Sequence, residues 1–300
     1  MSAASSRSWR SWALLAPTVL TLGLFVVYPL GRALFESVHA WDMLYPRRAV
    51  GLDNYAALAK SGALSDIAGR TLLFAGIVVS LSTALGLGLA LLLNRPGRLY
   101  AFARGAIFSA YVVSWVAVAL LWLWILDDRA GAATRLVEAL GLKAPRWLGD
   151  PKVAPISLAL VTVWKVTGYS MIVFLAALQS VPRSLHEAAA LDGAGALRRF
   201  AHVTWPALRP TTAFVVTTSL IASFQAFDVI RVMTQGGPVK STTLFVYAIY
   251  EEVFINLRVG RASALVVVFF LGVGALTIVN AWALRKRSVG TAPTEKGTTA

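Results

Sequence analysis

Residues 182–210 hold the side chains whose types and spacing come closest to known chemistry. His186 and Glu187 open like H-E-x-x-H, a pattern in which two histidines four residues apart bind zinc from one helical face. Ala190 stands where the second histidine would be, and the whole chain has 3 histidines and no cysteine. This excludes a zinc-protease site, and the sequence predicts no metal site elsewhere.

A second enzymatic spacing begins at Asp192 and Gly193, which resemble the start of D-G-x-x-A-R, a pattern of membrane phosphatidyltransferases. Leu197 stands where that pattern needs arginine, and the next aspartate is Asp228, so the carboxylates that would hold a metal are absent. A phosphate-binding P-loop needs a Gly-Lys pair, and the chain contains none. The sequence therefore predicts a protein that is not an enzyme and that binds no cofactor on this chain.

The same stretch has the features of a folded polar insert. Ser184 and Glu187 have the S-x-x-E spacing of a capping box, which satisfies free N–H groups in the first turn of a helix. Gly193 permits a turn. A second short helix is predicted over 196–205, where Pro206 would end it. A helix–turn–helix between apolar runs predicts a docking surface for another protein.

Four polar residues within apolar runs are candidates for a solute pathway: Lys165, Tyr169, Gln225 and Asp228. A charge inside a bilayer costs on the order of several kcal/mol unless it is paired or hydrated. Lys165 and Asp228 therefore either line a hydrated cavity or have partners within the protein, such as Arg231 one turn beyond Asp228. Tyr169 and Gln225 extend the same two helical faces with groups that can hydrogen-bond a hydroxylated solute.

The elements that carry these residues are membrane helices. The chain is 57% hydrophobic, against about 45–50% in soluble domains, and a bilayer-spanning helix needs about 20 apolar residues. Six such runs are present, at about 12–31, 71–94, 105–126, 153–181, 210–233 and 262–284. The sequence thus predicts an all-α polytopic membrane protein with six transmembrane helices. Its parts are a tail at 1–11, the span 12–31, an outer loop at 32–67, a core at 68–287 and a disordered tail at 288–300.

Charge distribution orients this topology. The net charge is +14, and the segments on the side of both termini hold 13 Lys/Arg against 3 Asp/Glu, while the opposite loops hold 12 against 10. Arg95, Arg98 and Arg104 share one short loop on the more basic side. Because short cytoplasmic loops carry the excess of basic residues, both termini and residues 182–209 are predicted to be cytoplasmic. The basic residues are thereby accounted for without a nucleic-acid partner.

The polar insert also carries a family pattern, made by Glu187-Ala188-Ala189, Asp192-Gly193-Ala194, Phe200, Pro206 and Pro210. It resembles the EAA loop of the permease subunits of ABC importers. The resemblance implies an ABC type-1 importer permease fold in which residues 182–209 form a coupling loop that seats in a cytoplasmic ATPase. The coupling residues it implies are Glu187, Ala188, Ala189, Asp192, Gly193 and Ala194.

Outer segments are similar to one group within that family. Residues 51–55 read GLDNY, 147–151 read WLGDP, 163–165 read VWK and 236–238 read GGP. In this order and spacing they resemble the sugar-type permeases, of the maltose and glycerol-phosphate kinds. The resemblance implies a multi-pass subunit of the bacterial inner membrane that helps to move a sugar, oligosaccharide or polyol by alternating access.

Partners follow from the same resemblance. It implies a second homologous permease, a dimeric cytoplasmic P-loop ATPase that binds the ATP and Mg, and an extracytoplasmic solute-binding protein. A glycerol 3-phosphate permease is the alternative within the class, for which a cationic Lys165 would suit the phosphate. An ion-coupled secondary transporter or channel is the alternative from another class, and it leaves the EAA pattern unexplained.

Overall fold

Helices make up most of the structure. The computed structural model describes residues 5–288, and the side chains of residues 14–278. In chain order the helices are α1 (Ser5–Leu22), α2 (Tyr28–Ser37), α3 (Asp53–Lys60), α4 (Ala63–Leu93), α5 (Arg98–Val112), α6 (Trp115–Ile125), α7 (Ala132–Ala139), α8 (Ala154–Ser180), α9 (Arg183–Leu191), α10 (Ala196–Arg199), α11 (Trp205–Phe224), α12 (Asp228–Met233), α13 (Phe245–Tyr250) and α14 (Val259–Ser288). Two strands, β1 (His39–Ala40) and β2 (Arg48–Ala49), pair antiparallel. Nearly all of the predicted tail at 288–300 lies outside the described residues.

Five helical segments of the described chain are long and apolar enough to cross a bilayer. They are Leu14–Ser37, Ala63–Leu93, Ala154–Ser180, Ala196–Met233 and Val259–Ile278. The helices α5 and α6 together make a sixth, although their axes meet at 103°. This agrees with the predicted all-α fold of six spans. The third apolar run differs from the simple expectation, because Val113 and Ser114 interrupt the helix.

The chain divides into two compact units, the first formed by 1–65 with 248–272 and the second by 66–247 with 273–300. In the first unit, Asn54 of the GLDNY stretch holds the chain where α2 passes into β1. Its Nδ2 donates to the carbonyl oxygens of Ser37, at 2.8 Å, and His39, at 3.0 Å. Because both acceptors are main-chain groups after a helix end, this side chain supplies donors that the helix cannot.

A buried carboxylate also stabilises the first unit. Glu36 is almost fully buried, and it accepts hydrogen bonds from Arg32 Nη2 at 2.7 Å and from Arg47 Nε at 3.1 Å. Two cations on one carboxylate offset the cost of removing its charge from water. The Arg47 guanidinium lies 4.2 Å from the ring centre of Trp41, which ties the hairpin of β1 and β2 to the end of α2.

The second unit is built around α8. More than half of this helix is buried, and it packs against α5 on one side and α11 on another. Its core cluster consists of Ala90, Leu93, Met171, Phe174, Leu175 and Val215. Gly168 allows the close approach of α5, since a Cβ there would lie 2.5 Å from the Ile107 oxygen. Small residues of this kind let membrane helices bring their backbones together.

The segment between α6 and α8 in the second unit is held by local polar contacts. The Thr134 hydroxyl donates to the Asp127 carbonyl oxygen at 2.8 Å and accepts from Trp147 Nε1 at 3.0 Å. The Asp127 carboxylate accepts from the main-chain N–H groups of Ala130 and Arg129. These hydrogen bonds hold the pKa of the Asp127 carboxyl below its usual range, and the one from Ala130 has the largest effect. Trp147 of the WLGDP stretch thus has a structural role.

Candidate functional site

The predicted coupling segment, residues 182–209, begins with α9, a short helix with no buried residue. The predicted capping box is wrong. Pro182 is the N-cap residue, its carbonyl oxygen accepts from Leu185 N at 3.2 Å, and no side chain caps the helix. Pro182 has a non-helical ψ of 130°, so the helix starts at Arg183 and leaves Ser184 inside it. The Glu187 carboxylate is therefore free of the capping role.

The turn after α9 explains why this pattern contains Asp-Gly-Ala. Gly193 has φ of +76°, in the left-handed region that glycine adopts without a steric penalty. Its N–H bonds to the Ala190 oxygen at 3.0 Å, and Ala194 N bonds to the Ala189 oxygen at 2.9 Å. These two bonds, from the first and second residues past the cap at Asp192, form a Schellman motif. The predicted turn at Gly193 is thus a helix C-cap.

The second helix of the segment is longer than predicted. It starts at Ala196 as α10, widens into a π-turn over Phe200–Thr204 and continues without interruption into α11. The expected stop at Pro206 is wrong. The π-turn inserts an extra residue just before Pro206, which relieves the missing N–H and the ring clash that proline brings to an α-helix. The same arrangement occurs at the π-turn Gly23–Val27, which directly precedes α2 and its proline.

The predicted coupling segment exposes both charged and apolar side chains. Leu191 is 90% exposed and Leu197 is 83% exposed. Glu187 and Asp192 are also exposed, and neither carboxylate has a hydrogen bond or ion pair within the part of the chain that the structure describes. We call these four residues the docking surface. Of the other predicted coupling residues, Ala188 and Gly193 are exposed, whereas Ala189 and Ala194 are half-buried.

In contrast to the exposed docking surface, Lys165 of α8 is buried, with 1% of its surface exposed. Its ammonium group donates to three carbonyl oxygens at the end of α5, those of Ala110 at 3.2 Å, Tyr111 at 3.1 Å and Val113. The nitrogen also lies 4.7 Å from the ring centre of Trp115. The last carbonyls of a helix have no N–H partner within it. Lys165 therefore caps the break in the third span.

This geometry bears directly on the predicted pathway role of Lys165. An ammonium group has three protons to donate, and three carbonyl oxygens accept them. A cation beside the C-terminal end of a helix is further stabilised by the helix dipole. The arrangement favours the alternative in which the charge has its partners within the protein. Tyr169, one turn along α8, stacks on Tyr111 with ring centres 4.9 Å apart.

Gln225 and Asp228 lie at a second break, in the fifth span. Gln225 caps the end of α11, and Asp228 is the first residue of α12. The expectation that both extend one helical face is wrong, because the helix is interrupted between them and Phe227 N bonds to the Gln225 oxygen at 2.8 Å. Irregular backbone at membrane depth occurs where it is covered by protein or lines a hydrated cavity. The structure thus places the four pathway candidates beside two broken spans.

The sequence is similar to those of known transport proteins over most of its length. The sequence model of a family described as binding-protein-dependent transport system inner membrane component matches residues 76–288. The sn-glycerol-3-phosphate transport system permease protein UgpA of Pectobacterium atrosepticum is 35% identical over 280 residues, covering 91% of this chain and 93% of that protein. The sulfoquinovosyl glycerol transport system permease protein SmoG of Agrobacterium fabrum is 32% identical over 259 residues, covering 86% and 84%.

Solved structures show the same fold. A chain of a bacterial ABC transporter involved in the import of the acidic polysaccharide alginate matches with a TM-score of 0.80 and 21% identity, covering 94% of this chain and 96% of that one. The alginate ABC transporter in complex with an alginate pentasaccharide-bound periplasmic protein matches with a TM-score of 0.78 and 22% identity, covering 96% and 98%. The similarity extends over nearly the whole chain.

Proposed function

Because the chain belongs to the family of binding-protein-dependent transport system inner membrane components, as a transport subunit and not an enzyme, we propose that residues 182–209 couple it to a cytoplasmic ATPase. The docking surface carries this proposal. It comprises two exposed carboxylates without partners among the described residues and two leucines that are almost fully exposed. Exposed apolar groups rimmed by charge are typical of a protein interface.

The helix that follows the docking surface provides the mechanical link. From Ala196 the chain is helical through α10, the π-turn and α11, so the coupling segment continues directly into the fifth span. The α11 helix packs on α8, the most buried helix among the candidate spans. Movement of the docking surface, when ATP binding closes the ATPase dimer, is transmitted to these two spans. Alternating access of the solute cavity follows from their rigid movement.

The proposed solute is a sugar, an oligosaccharide or a polyol. The supporting observation is the set of relatives, which are named for sn-glycerol 3-phosphate and sulfoquinovosyl glycerol, both rich in hydroxyl groups. Tyr169 and Gln225 offer a phenol and an amide for hydrogen bonds to hydroxyl groups. Glycerol 3-phosphate is the second candidate, on the evidence of the 35% identical relative. Lys165 no longer argues for it, because its three protons have acceptors within the chain.

The proposed complex contains three kinds of partner. The family description and the alginate importer, whose structure includes its periplasmic protein, support a solute-binding protein outside the membrane. A second permease of the same fold would complete the cavity. Two copies of a cytoplasmic ATPase would bind the ATP and Mg, because this chain has no P-loop. We place the chain in the bacterial inner membrane with both termini in the cytoplasm.

The proposal is tested by isolating the tagged chain from its own membrane in a mild detergent and identifying what accompanies it by mass spectrometry. A P-loop ATPase and a second six-span permease are expected. The purified set, placed in liposomes with the binding protein, should take up labelled maltose or glycerol 3-phosphate only when ATP is supplied. A chain that purifies alone and moves solute without ATP along an ion gradient would establish the secondary-transporter alternative.

A further inference from the structure

The second unit contains a cavity of about 550 Å³ that the transport role leaves without an assignment. It lies where α4 and α8 begin, at the end of α8 remote from the coupling segment. Most of its wall is apolar, from residues such as Leu73, Phe74, Ile156 and Leu244. The charged residues in the wall are Arg70 and Lys152, and no carboxylate lines it. The cavity thus pairs an apolar interior with positive charge.

The two kinds of group are ordered along the membrane helices. On α4, Arg70 comes first and Leu73 and Phe74 lie about one turn further into the span. Lys152 lies just before the start of α8, and Ile156 lies about one turn after Lys152, inside the helix. Both helices are even-numbered spans and enter the membrane from the same side. This order predicts that the cations lie at headgroup level and the apolar wall at the level of the lipid chains.

The remaining wall is a loop with strained backbone. Val239 and Lys240 have φ of +50° and +58°, and a β-branched residue such as valine seldom adopts a positive φ. The Lys240 oxygen accepts from Arg70 Nη1 at 2.6 Å, which ties the loop to α4. Strained backbone of this kind clusters at ligand clamps. The Ser241 hydroxyl is buried without a hydrogen-bond partner in the described part of the chain, which leaves a donor in this wall.

We propose that this cavity binds one anionic phospholipid of the surrounding bilayer. Arg70 and Lys152 bind the phosphate, and the apolar wall receives the upper part of an acyl chain. Lys and Arg side chains at the membrane surface attract anionic lipid headgroups. A hydrophilic solute would leave the apolar wall unused. Asp66, 3.6 Å from Arg70 Nη2, is two-thirds exposed and so neutralises the cavity only weakly.

The purified complex, and separately the chain alone, are placed in vesicles of equal parts phosphatidylglycerol and phosphatidylcholine. Native mass spectrometry then identifies the lipids that remain bound after release from the vesicles. We expect one phosphatidylglycerol per chain in preference to phosphatidylcholine. The double variant Arg70→Gln with Lys152→Gln should lower that occupancy by about tenfold. The matched control, Lys60→Gln with Lys143→Gln, removes two exposed positive charges elsewhere and should retain the lipid.

Two further variants separate binding from folding, because Arg70 also holds the loop at Lys240. Lys152→Gln alone removes an exposed cation, and Ile156→Trp fills the apolar part while both cations stay. Each should lower phosphatidylglycerol occupancy without lowering the melting temperature. The proposal is wrong if both variants keep the lipid, or if the two lipids bind equally. It is equally wrong if Ile156 crosslinks to a second permease in a lipid-free complex.

Discussion

Two consecutive helices, α8 and α9, each carry a charged residue, and the environments of the two residues are opposite. Lys165 of α8 is 1% exposed and donates to three carbonyl oxygens of the same chain. Glu187 of α9 is exposed, and no described residue pairs with its carboxylate. The first charge is stabilised by the fold of this chain, whereas the second is hydrated and, under the proposed coupling, open to a partner. The difference separates a residue that holds the structure together from one that is available for binding.

The comparison predicts where substitutions change stability and where they change transport. Substitutions around Lys165 should lower the free energy of unfolding, and substitutions on the docking surface should leave it unchanged while transport fails.

Lys165→Met should be the most destabilising of these substitutions. It leaves the carbonyl oxygens of Ala110, Tyr111 and Val113 without their donor, and each buried group left unsatisfied costs about 1–3 kcal/mol. Because removal of the ammonium also removes its own desolvation cost, we expect a net loss of about 2–4 kcal/mol. The melting temperature in detergent measures it.

The control for Lys165→Met is Lys143→Met at an exposed loop position, where a loss below about 0.5 kcal/mol is expected. Surviving Lys165→Met protein should keep its preference among solutes. A variant of normal stability with altered solute preference would show instead that Lys165 contacts the solute.

Gly168→Ala should be the next most destabilising. The new Cβ would lie 2.5 Å from the Ile107 oxygen and 3.0 Å from the Phe108 Cα, both main-chain atoms that cannot rotate away. Overpacking of this kind typically costs about 1–3 kcal/mol. Gly88→Ala is the matched control, since it also replaces a membrane-helix glycine but meets nothing within 4 Å. It should stabilise α4 slightly, and equal melting temperatures for the two variants would show that α5 and α8 are not closely packed.

Glu187→Lys should change stability by no more than about 0.5 kcal/mol, because the side chain is exposed. ATP-dependent uptake should nevertheless fall at least about tenfold, since a charge reversal at the centre of an interface removes a pairing and adds a repulsion. Glu138→Lys reverses a charge on the exposed helix α7 and should transport normally. Full uptake by Glu187→Lys would remove the basis for the docking surface.

Much of the architecture was predictable because its signals are local. Apolar runs of about 20 residues fall within or across the helices that the structure contains, since the length of a bilayer span is a property of each segment alone. The pattern around Gly193 is equally local, because the hydrogen bonds of the turn join Ala189 to Ala194 and Ala190 to Gly193. Helix limits were less predictable. Pro206 was expected to end a helix, and a π-turn a few residues earlier removed the reason.

The amino-acid sequence by itself determined that this is an all-α membrane protein and that residues 182–209 form a polar insert with a turn at Gly193. These features depend on residues no more than about 30 apart. Only the tertiary structure decided the role of Lys165, because its acceptors lie 52–55 residues away in sequence and become available only where α5 breaks. The side chain alone shows that a buried charge needs partners, whereas the packing of α5 against α8 provides them.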